Sequence, residues 1–179
     1  LFGVVLNTKS DPLTVRNVLV HLKEGVPAKK YDVPKTPVVI NQEGCQYKPH
    51  MVVLMEGQEL QIKNSDDTNH NIHFLPKKNE ELNKTQPKKD MVDTVKLTAE
   101  EPFHVKCDVH PWMGATMAVM NHPFFAVTGE DGTFEIKNVP PGKYVVEAWH
   151  ENAAFGKQTI NVEVGSGATV EKDFTYEPK

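Results

Sequence analysis

The chain has 179 residues, of which 39% are hydrophobic and 25% charged, a composition typical of soluble globular proteins with one large or two small domains. Its formal net charge of −4 does not favour a nucleic-acid partner, because such partners usually require a basic patch. No apolar run approaches the roughly 20 residues that span a bilayer, so no membrane span is predicted. Since the chain begins at Leu1 without a leader pattern, we expect a mature or trimmed product.

Short strands separated by turns dominate the sequence pattern. Apolar runs or strict alternation predict strands, in chain order, over 2–6, 17–22, 59–63, 70–74, 103–107, 115–120, 133–137 and 159–164. Turn-forming pairs such as Asp131-Gly132 and Pro141-Gly142 lie between them. The pattern predicts an all-β protein built of sandwiches or barrels.

Two segments lack the strand pattern. Residues 27–37 contain three prolines and are predicted to form a linker. Residues 77–90 are rich in Lys, Asn and Glu with few apolar side chains, and we predict a long exposed connection there.

The residues that carry chemistry follow the predicted strand 103–107. Cys107, His110 and Met113 place a thiol, an imidazole and a thioether within seven residues. Redox-active copper prefers a thiolate, two imidazoles and a weak axial thioether. A second imidazole is available at His70, which begins another predicted strand and can reach the Cys107 loop in a sandwich.

These residues, over roughly 37–122, resemble the cupredoxins, the family of plastocyanin, amicyanin and pseudoazurin. The matching motifs are Gly57–Asn64, His70-Asn71, Cys107–Met113 and the aromatic-x-Pro element at Tyr47. The short loop with a proline after the second histidine is most similar to that of amicyanin. The resemblance implies a Greek-key cupredoxin sandwich.

The resemblance also implies roles for individual side chains around a copper ion. His70, Cys107 and His110 would be equatorial ligands and Met113 the axial ligand. Asn71 would hydrogen-bond the turn that carries Cys107 and hold the loop in place.

The remaining thiol and histidines leave alternatives open. Cys45 departs from the pattern of a single thiol and is predicted to be a free thiol, an extra ligand, the partner of Cys107 in a disulfide or part of an intermolecular disulfide. His73 lies at odd spacing from His70 on the same strand and should point to the opposite face. The other histidines are interpreted as surface or structural residues: His50, His104, His122 and His150.

The chain from Phe124 onward carries a different signature. The patterns Thr128-x-x-Asp131-Gly132-x-Phe134 and Val139-Pro140-Pro141-Gly142-x-Tyr144 resemble the carboxypeptidase regulatory-like domain, a small Ig/transthyretin-like β-sandwich. That sandwich usually needs more strands than this segment supplies. We therefore predict a copper domain at 35–122 inserted into a sandwich made of 1–34 and 123–179. The alternative is a cupredoxin over 1–122 followed by a sandwich over 123–179.

The sequence predicts a copper protein of the periplasm or extracellular space that is not an enzyme and transfers single electrons. Its partner is expected to be a cytochrome or a redox enzyme, within or outside a larger assembly. One alternative function is copper storage or delivery. Another is a metal-free structural subunit of a surface or respiratory assembly, held by a Cys45–Cys107 disulfide.

Overall fold

The computed structural model describes residues 1–7 and 15–177. These residues form sixteen strands and no α-helix, and none of them belongs to a helix able to cross a membrane. The all-β prediction is confirmed. The strands are β1 (Phe2–Asn7), β2 (Leu19–Glu24), β3 (Val38–Gln42), β4 (Tyr47–Lys48), β5 (Met51–Met55), β6 (Glu59–Asn64), β7 (His70–Leu75), β8 (Asn83–Gln86), β9 (Val92–Lys96), β10 (Glu100–Lys106), β11 (Gly114–Met120), β12 (Phe125–Val127), β13 (Thr133–Glu135), β14 (Gly142–Trp149), β15 (Lys157–Val164) and β16 (Phe174–Tyr176).

The chain divides into two compact units. The central unit is Tyr31–Pro123, and the outer unit combines Leu1–Lys30 with Phe124–Lys179. These bounds lie within four residues of the domain bounds proposed above. That each unit is a domain able to fold alone stays a prediction. The predicted segment 1–34 of the sandwich includes residues 8–14, which lie outside the described residues.

The central unit contains two sheets that bury a common apolar core. The strand order is β5-β11-β10-β7-β8 in one sheet and β4-β3-β6-β9 in the other. Strand β6 shows the alternation expected of a half-buried strand, with every second side chain buried. Both sheets contribute to the core, which includes Ile40, Leu60, Ile62, Leu54, Ile72, Phe74, Val105 and Met117.

The predicted exposed connection at 77–90 is wrong in its second half. Residues 83–86 form β8, which pairs antiparallel with β7. The side chain of Gln86 is fully buried, and its amide donates to Ile62 O at 3.0 Å and to Asp93 Oδ2 at 2.9 Å. An edge strand whose one buried side chain is polar has no apolar alternation, so the sequence pattern gave no strand signal.

The outer unit also has two sheets, in the orders β13-β1-β16 and β12-β2-β14-β15. Strand β1 pairs with β13 and β16, and β2 pairs with β12 and β14. The strands that precede the central unit therefore share sheets with strands that follow it. The apolar side chains buried in this unit include Val5, Val20, Leu22, Phe134, Val146, Val162, Phe174 and Tyr176.

Candidate metal centre

Two of the predicted ligands are neighbours at one end of the central sheets. His70 is the first residue of β7 and is fully buried, and His110 lies in the loop between β10 and β11. Their Nδ1 atoms are 3.0 Å apart, and their rings meet edge to face with centroids 4.8 Å apart. Neutral imidazole nitrogens at this distance are placed either for a shared hydrogen or for a shared cation.

The third predicted ligand, Cys107, directly follows β10 and is 2% exposed. Its Sγ lies 3.9 Å from His110 Nδ1 and accepts the backbone N–H of His110 at 3.4 Å. The fold thus places the Cys107 thiol near the His110 imidazole, which itself lies against His70 from a separate strand. Their role as metal ligands stays a prediction.

The fourth predicted ligand, Met113, closes the loop. Its N–H donates to His110 O at 2.9 Å, and its carbonyl accepts from the N–H of Cys107 at 3.2 Å. Its side chain is 2% exposed and belongs to the same core cluster as Cys107. The backbone bonds fix the span from Cys107 to Met113, while the axial role of the thioether stays a prediction.

Two further residues join the start of β7 to the Cys107 loop. Asn71 Oδ1 accepts the N–H of Asp108 at 2.6 Å and the thiol of Cys107 at 3.3 Å, as the resemblance implied. The Tyr47 hydroxyl lies 2.5 Å from Asn71 O and 2.9 Å from Lys106 O. These bonds hold the candidate ligands on neighbouring strands in fixed positions.

Sequence reasoning missed Asp66, which orients His70. Its Oδ2 accepts from His70 Nε2 at 2.9 Å. Burial raises the pKa of Asp66, but the N–H groups of Cys45 and Gly44 and the His70 ring outweigh burial and lower that pKa to about 2. An ionised carboxylate only accepts hydrogen bonds, so His70 Nε2 donates to Asp66 and His70 Nδ1 faces His110. The sequence signal that could have identified Asp66 as the partner of His70 is its position four residues before that histidine.

The half-buried Cys45 also lies at this site. One ligand atom each from Cys45, His70 and His110 all lie within 4.8 Å of one another, so the three can hold a metal ion. Both cysteines are free thiols. The two sulfurs are not bonded to each other in this structure, and the Cys45 thiol lies beside the imidazoles.

His73, whose position on the opposite face of β7 stays a prediction, contacts two acidic side chains. Its Nδ1 lies 2.9 Å from Asp108 Oδ2, and its Nε2 lies 2.6 Å from Glu81 Oε1. Hydrogen bonds, first from Lys106 and then from Asn83, His73 and Asn71, outweigh burial and hold the pKa of Asp108 well below its usual range. This ion-paired group supports the loop from outside.

The donor set fits copper. Thiol sulfur and imidazole nitrogen are ligands that Cu(I) and Cu(II) both accept, and a carboxylate bonded to the far nitrogen of a ligand histidine is typical of metal sites. The cluster resembles a type-1 copper site.

Comparisons with known proteins match both parts of the chain. Residues 121–175 match the family model of the "BOS complex subunit NOMO1-like, second beta sandwich domain". The chain carries a NOMO1-like sandwich domain. Its matched residues cover β12 to β15 and reach β16, the segment that resembles a carboxypeptidase regulatory-like domain. The comparison with curated proteins finds no match.

The solved structures similar to this chain include several amicyanins. Amicyanin from Paracoccus versutus (Thiobacillus versutus) is 20% identical, with 56% of this chain and 97% of that chain covered and a TM-score of 0.43. A methionine-to-alanine variant of amicyanin in its Cu(I) form is 18% identical, with coverages of 56% and 98% and a TM-score of 0.42. An oxidised proline-to-glycine variant is 17% identical, with the same coverages and a TM-score of 0.43.

Proposed function

We propose that this protein binds copper and transfers single electrons between protein partners in the periplasm or extracellular space. His70, Cys107 and His110 are the equatorial ligands and Met113 the axial ligand in this proposal. The observation that supports it best is the convergence of the three donors, with 3.0 Å between the imidazole nitrogens and 3.9 Å between His110 Nδ1 and Cys107 Sγ.

Bound copper supplies one-electron redox chemistry. The protein's part is to keep the donor atoms fixed, because an electron moves faster when its site rearranges little. The ligands lie at strand ends and in a loop closed by the Met113 backbone bonds, and Asn71 bonds both the loop and the thiol. Asp66 holds the His70 ring in the orientation that directs Nδ1 to the cluster.

The loop that carries His110 is the proposed contact for the redox partner. The ring of His110 lies against Trp112, with centroids 5.1 Å apart, and Trp112 is 69% exposed. A cytochrome or redox enzyme that docks on this loop comes within a short distance of a copper ligand. Contact through a ligand edge shortens the path that the electron must cross.

The visible spectrum of the copper-loaded protein tests this function. A Cu(II) site with a thiolate ligand should absorb strongly near about 600 nm, and a tighter axial thioether adds a band near about 450 nm. Ascorbate should bleach the band, and a mild oxidant should restore it. Copper-loaded protein with free thiols and no intense visible band would contradict the proposal.

Copper storage or delivery is the second candidate, and the position of Cys45 favours it. A second sulfur beside two imidazoles increases the affinity for Cu(I), the softer copper ion. A colourless Cu(I) site that exchanges its metal readily with a soluble chelator distinguishes delivery from electron transfer.

A further inference from the structure

The backbone of Cys45 has a conformation that requires support. Its φ is +53°, in the left-handed region that few residues other than glycine adopt, and it follows Gly44 with φ +65°. Such backbone is retained where surrounding contacts enforce it, and it is frequent at functional sites. A cysteine held in this conformation is therefore a candidate functional residue.

Two groups of the candidate metal centre hold Cys45 in place. Asp66 Oδ2 accepts the N–H of Cys45 at 2.9 Å and also accepts from His70 Nε2. On the other side, Trp112 Nε1–H donates to Cys45 O at 3.1 Å, and the Trp112 ring packs on His110. The Cys45 backbone is therefore positioned by the carboxylate that orients one imidazole and by the ring that contacts the other.

The distances between donor atoms fit one metal ion. Ligands that share a tetrahedral ion, with metal–sulfur and metal–nitrogen bonds of about 2.3 and 2.0 Å, lie roughly 3.3–3.8 Å apart. The separations from His110 Nδ1 are 3.0 Å to His70 Nδ1 and 3.9 Å to Cys107 Sγ. The ligand atom of Cys45 lies within 4.8 Å of both imidazoles, so a small side-chain rotation brings it into range.

We propose that Cys45 supplies a second thiolate to the metal bound by His70, Cys107 and His110. This inference rests on the proposed function, because it concerns the same ion. Each thiol releases its proton when the metal binds. Two thiolates and two imidazoles suit Cu(I) and Zn²⁺, so this site should retain both ions more tightly than a site with one thiolate.

X-ray absorption of the Zn²⁺-loaded full chain counts the sulfur ligands directly. We expect two sulfur neighbours at about 2.3 Å in the native protein and one in Cys45→Ser. In the Co²⁺-loaded protein the thiolate charge-transfer absorption should fall to about half in Cys45→Ser, as expected when one of two thiolates is lost. Met120→Leu is the control, since Met120 lies at the other end of β11 from the Cys107–Met113 loop and its loss should leave both readings unchanged.

A measurement without any variant covers the case in which Cys45→Ser does not fold. Iodoacetamide should modify the half-buried Cys45 in the metal-free protein, and bound Zn²⁺ should slow that modification severalfold. One sulfur neighbour in the native protein, with Cys45 modified equally fast with and without Zn²⁺, overturns the inference and leaves the copper function intact. No sulfur neighbour, or no binding of metal, overturns both.

Discussion

The Nδ1 atoms of His70 and His110 lie 3.0 Å apart, although 40 positions separate the two residues in the chain. Because Asp66 accepts from Nε2 of His70, the ring is oriented with Nδ1 toward His110. In the metal-free protein the two Nδ1 atoms can share a hydrogen. A metal ion bound by both imidazoles replaces this hydrogen bond, so the pair is already arranged at close to the separation that a metal requires.

The first prediction separates the proposed Cys107 thiolate ligand from the proposed Met113 thioether ligand. Cys107→Ser should strongly weaken the visible absorption of the Cu(II) protein, because the band arises from charge transfer out of the thiolate, and Cys107→Ser combined with Cys45→Ser should abolish it. Met113→Leu should keep the band and raise the reduction potential, because an axial thioether is a weak ligand that mainly tunes the potential. Absorption spectra and a redox titration measure both effects. An unchanged spectrum in Cys107→Ser would assign the thiolate to Cys45.

The second prediction concerns the carboxylate that orients His70. Asp66→Asn should weaken Cu(I) binding by about 10- to 100-fold, the usual effect of losing the partner of a ligand histidine. Competition with a coloured Cu(I) chelator measures the affinity. Asp67→Asn is the control, because it makes the same change of charge at an exposed neighbouring residue. Equal affinities in the two variants would mean that Asp66 does not position the site.

The third prediction follows from Glu100, which is 5% exposed. Burial raises the pKa of Glu100, but bonds from the backbone and side chain of Asn79 and from the N–H groups of Lys77 and Lys78 outweigh it, so the pKa lies below its ordinary value of 4.5. A lowered folded-state pKa gives stability that is present above pH 4.5 and is lost as the pH falls through the folded-state value.

We therefore expect Glu100→Gln to lower the free energy of unfolding by about 1–3 kcal/mol at pH 7, since it removes hydrogen bonds to a charged group. The difference from the native protein should shrink as the pH falls below 4.5. Urea titrations between pH 7 and pH 3 measure it, with the exposed Glu80→Gln as the control. A difference that does not change with pH would exclude this role for the carboxylate.

The fourth prediction tests the packing of the outer unit. A Cβ on Gly25, where φ is +86°, would lie 2.2 Å from Lys143 O, so Gly25→Ala should destabilise this unit by more than about 1 kcal/mol. Gly167→Ala is the control, because φ is +67° there and nothing lies within 4 Å of its Cβ. Fluorescence of Trp149 during urea unfolding, in a Trp112→Phe background, reports on the outer unit alone. Equal stabilities of the two variants would contradict the clash.

The fifth prediction concerns the proposed insertion. A fragment of residues 31–123 contains both sheets of the central unit and every proposed ligand. It should fold alone and give the same visible band with Cu(II) as the full chain. Circular dichroism and absorption of the purified fragment test this. A fragment that binds no copper while the full chain does would mean that the central unit needs residues of the outer one.

The sequence predicted the strands well where the pattern is local, and it placed the proposed ligands in short motifs. Strand β6 alternates over Glu59–Asn64, and the Cys107–Met113 motif lies in one loop, so both are visible in a short window. The strand β8 was missed because it is short, polar and paired only at a sheet edge, where alternation is weak.

The environment of the site could not be predicted in the same way. Asp66 belongs to the centre because a turn after β6 brings its carboxylate to the His70 ring and to the Cys45 backbone at the same time. The contact with Cys45 does not follow from spacing, since it depends on the register of β3 with β6. The free state of Cys45 likewise depends on where its thiol points, which a residue pattern does not determine.

The pairing of β2 with β14 determines the order in which the two units can fold during synthesis on the ribosome. The side chains of His21 and Glu147, one from each strand, meet across 126 positions of chain. Strands β1 and β2 therefore emerge from the ribosome before their partners β13 and β14, and their edges stay unpaired until then. The central unit has all its residues as soon as Pro123 has been made. A chain stalled before β14 would contain every residue of the candidate metal centre but only part of the sandwich, and chaperones would be needed to cover its exposed strand edges.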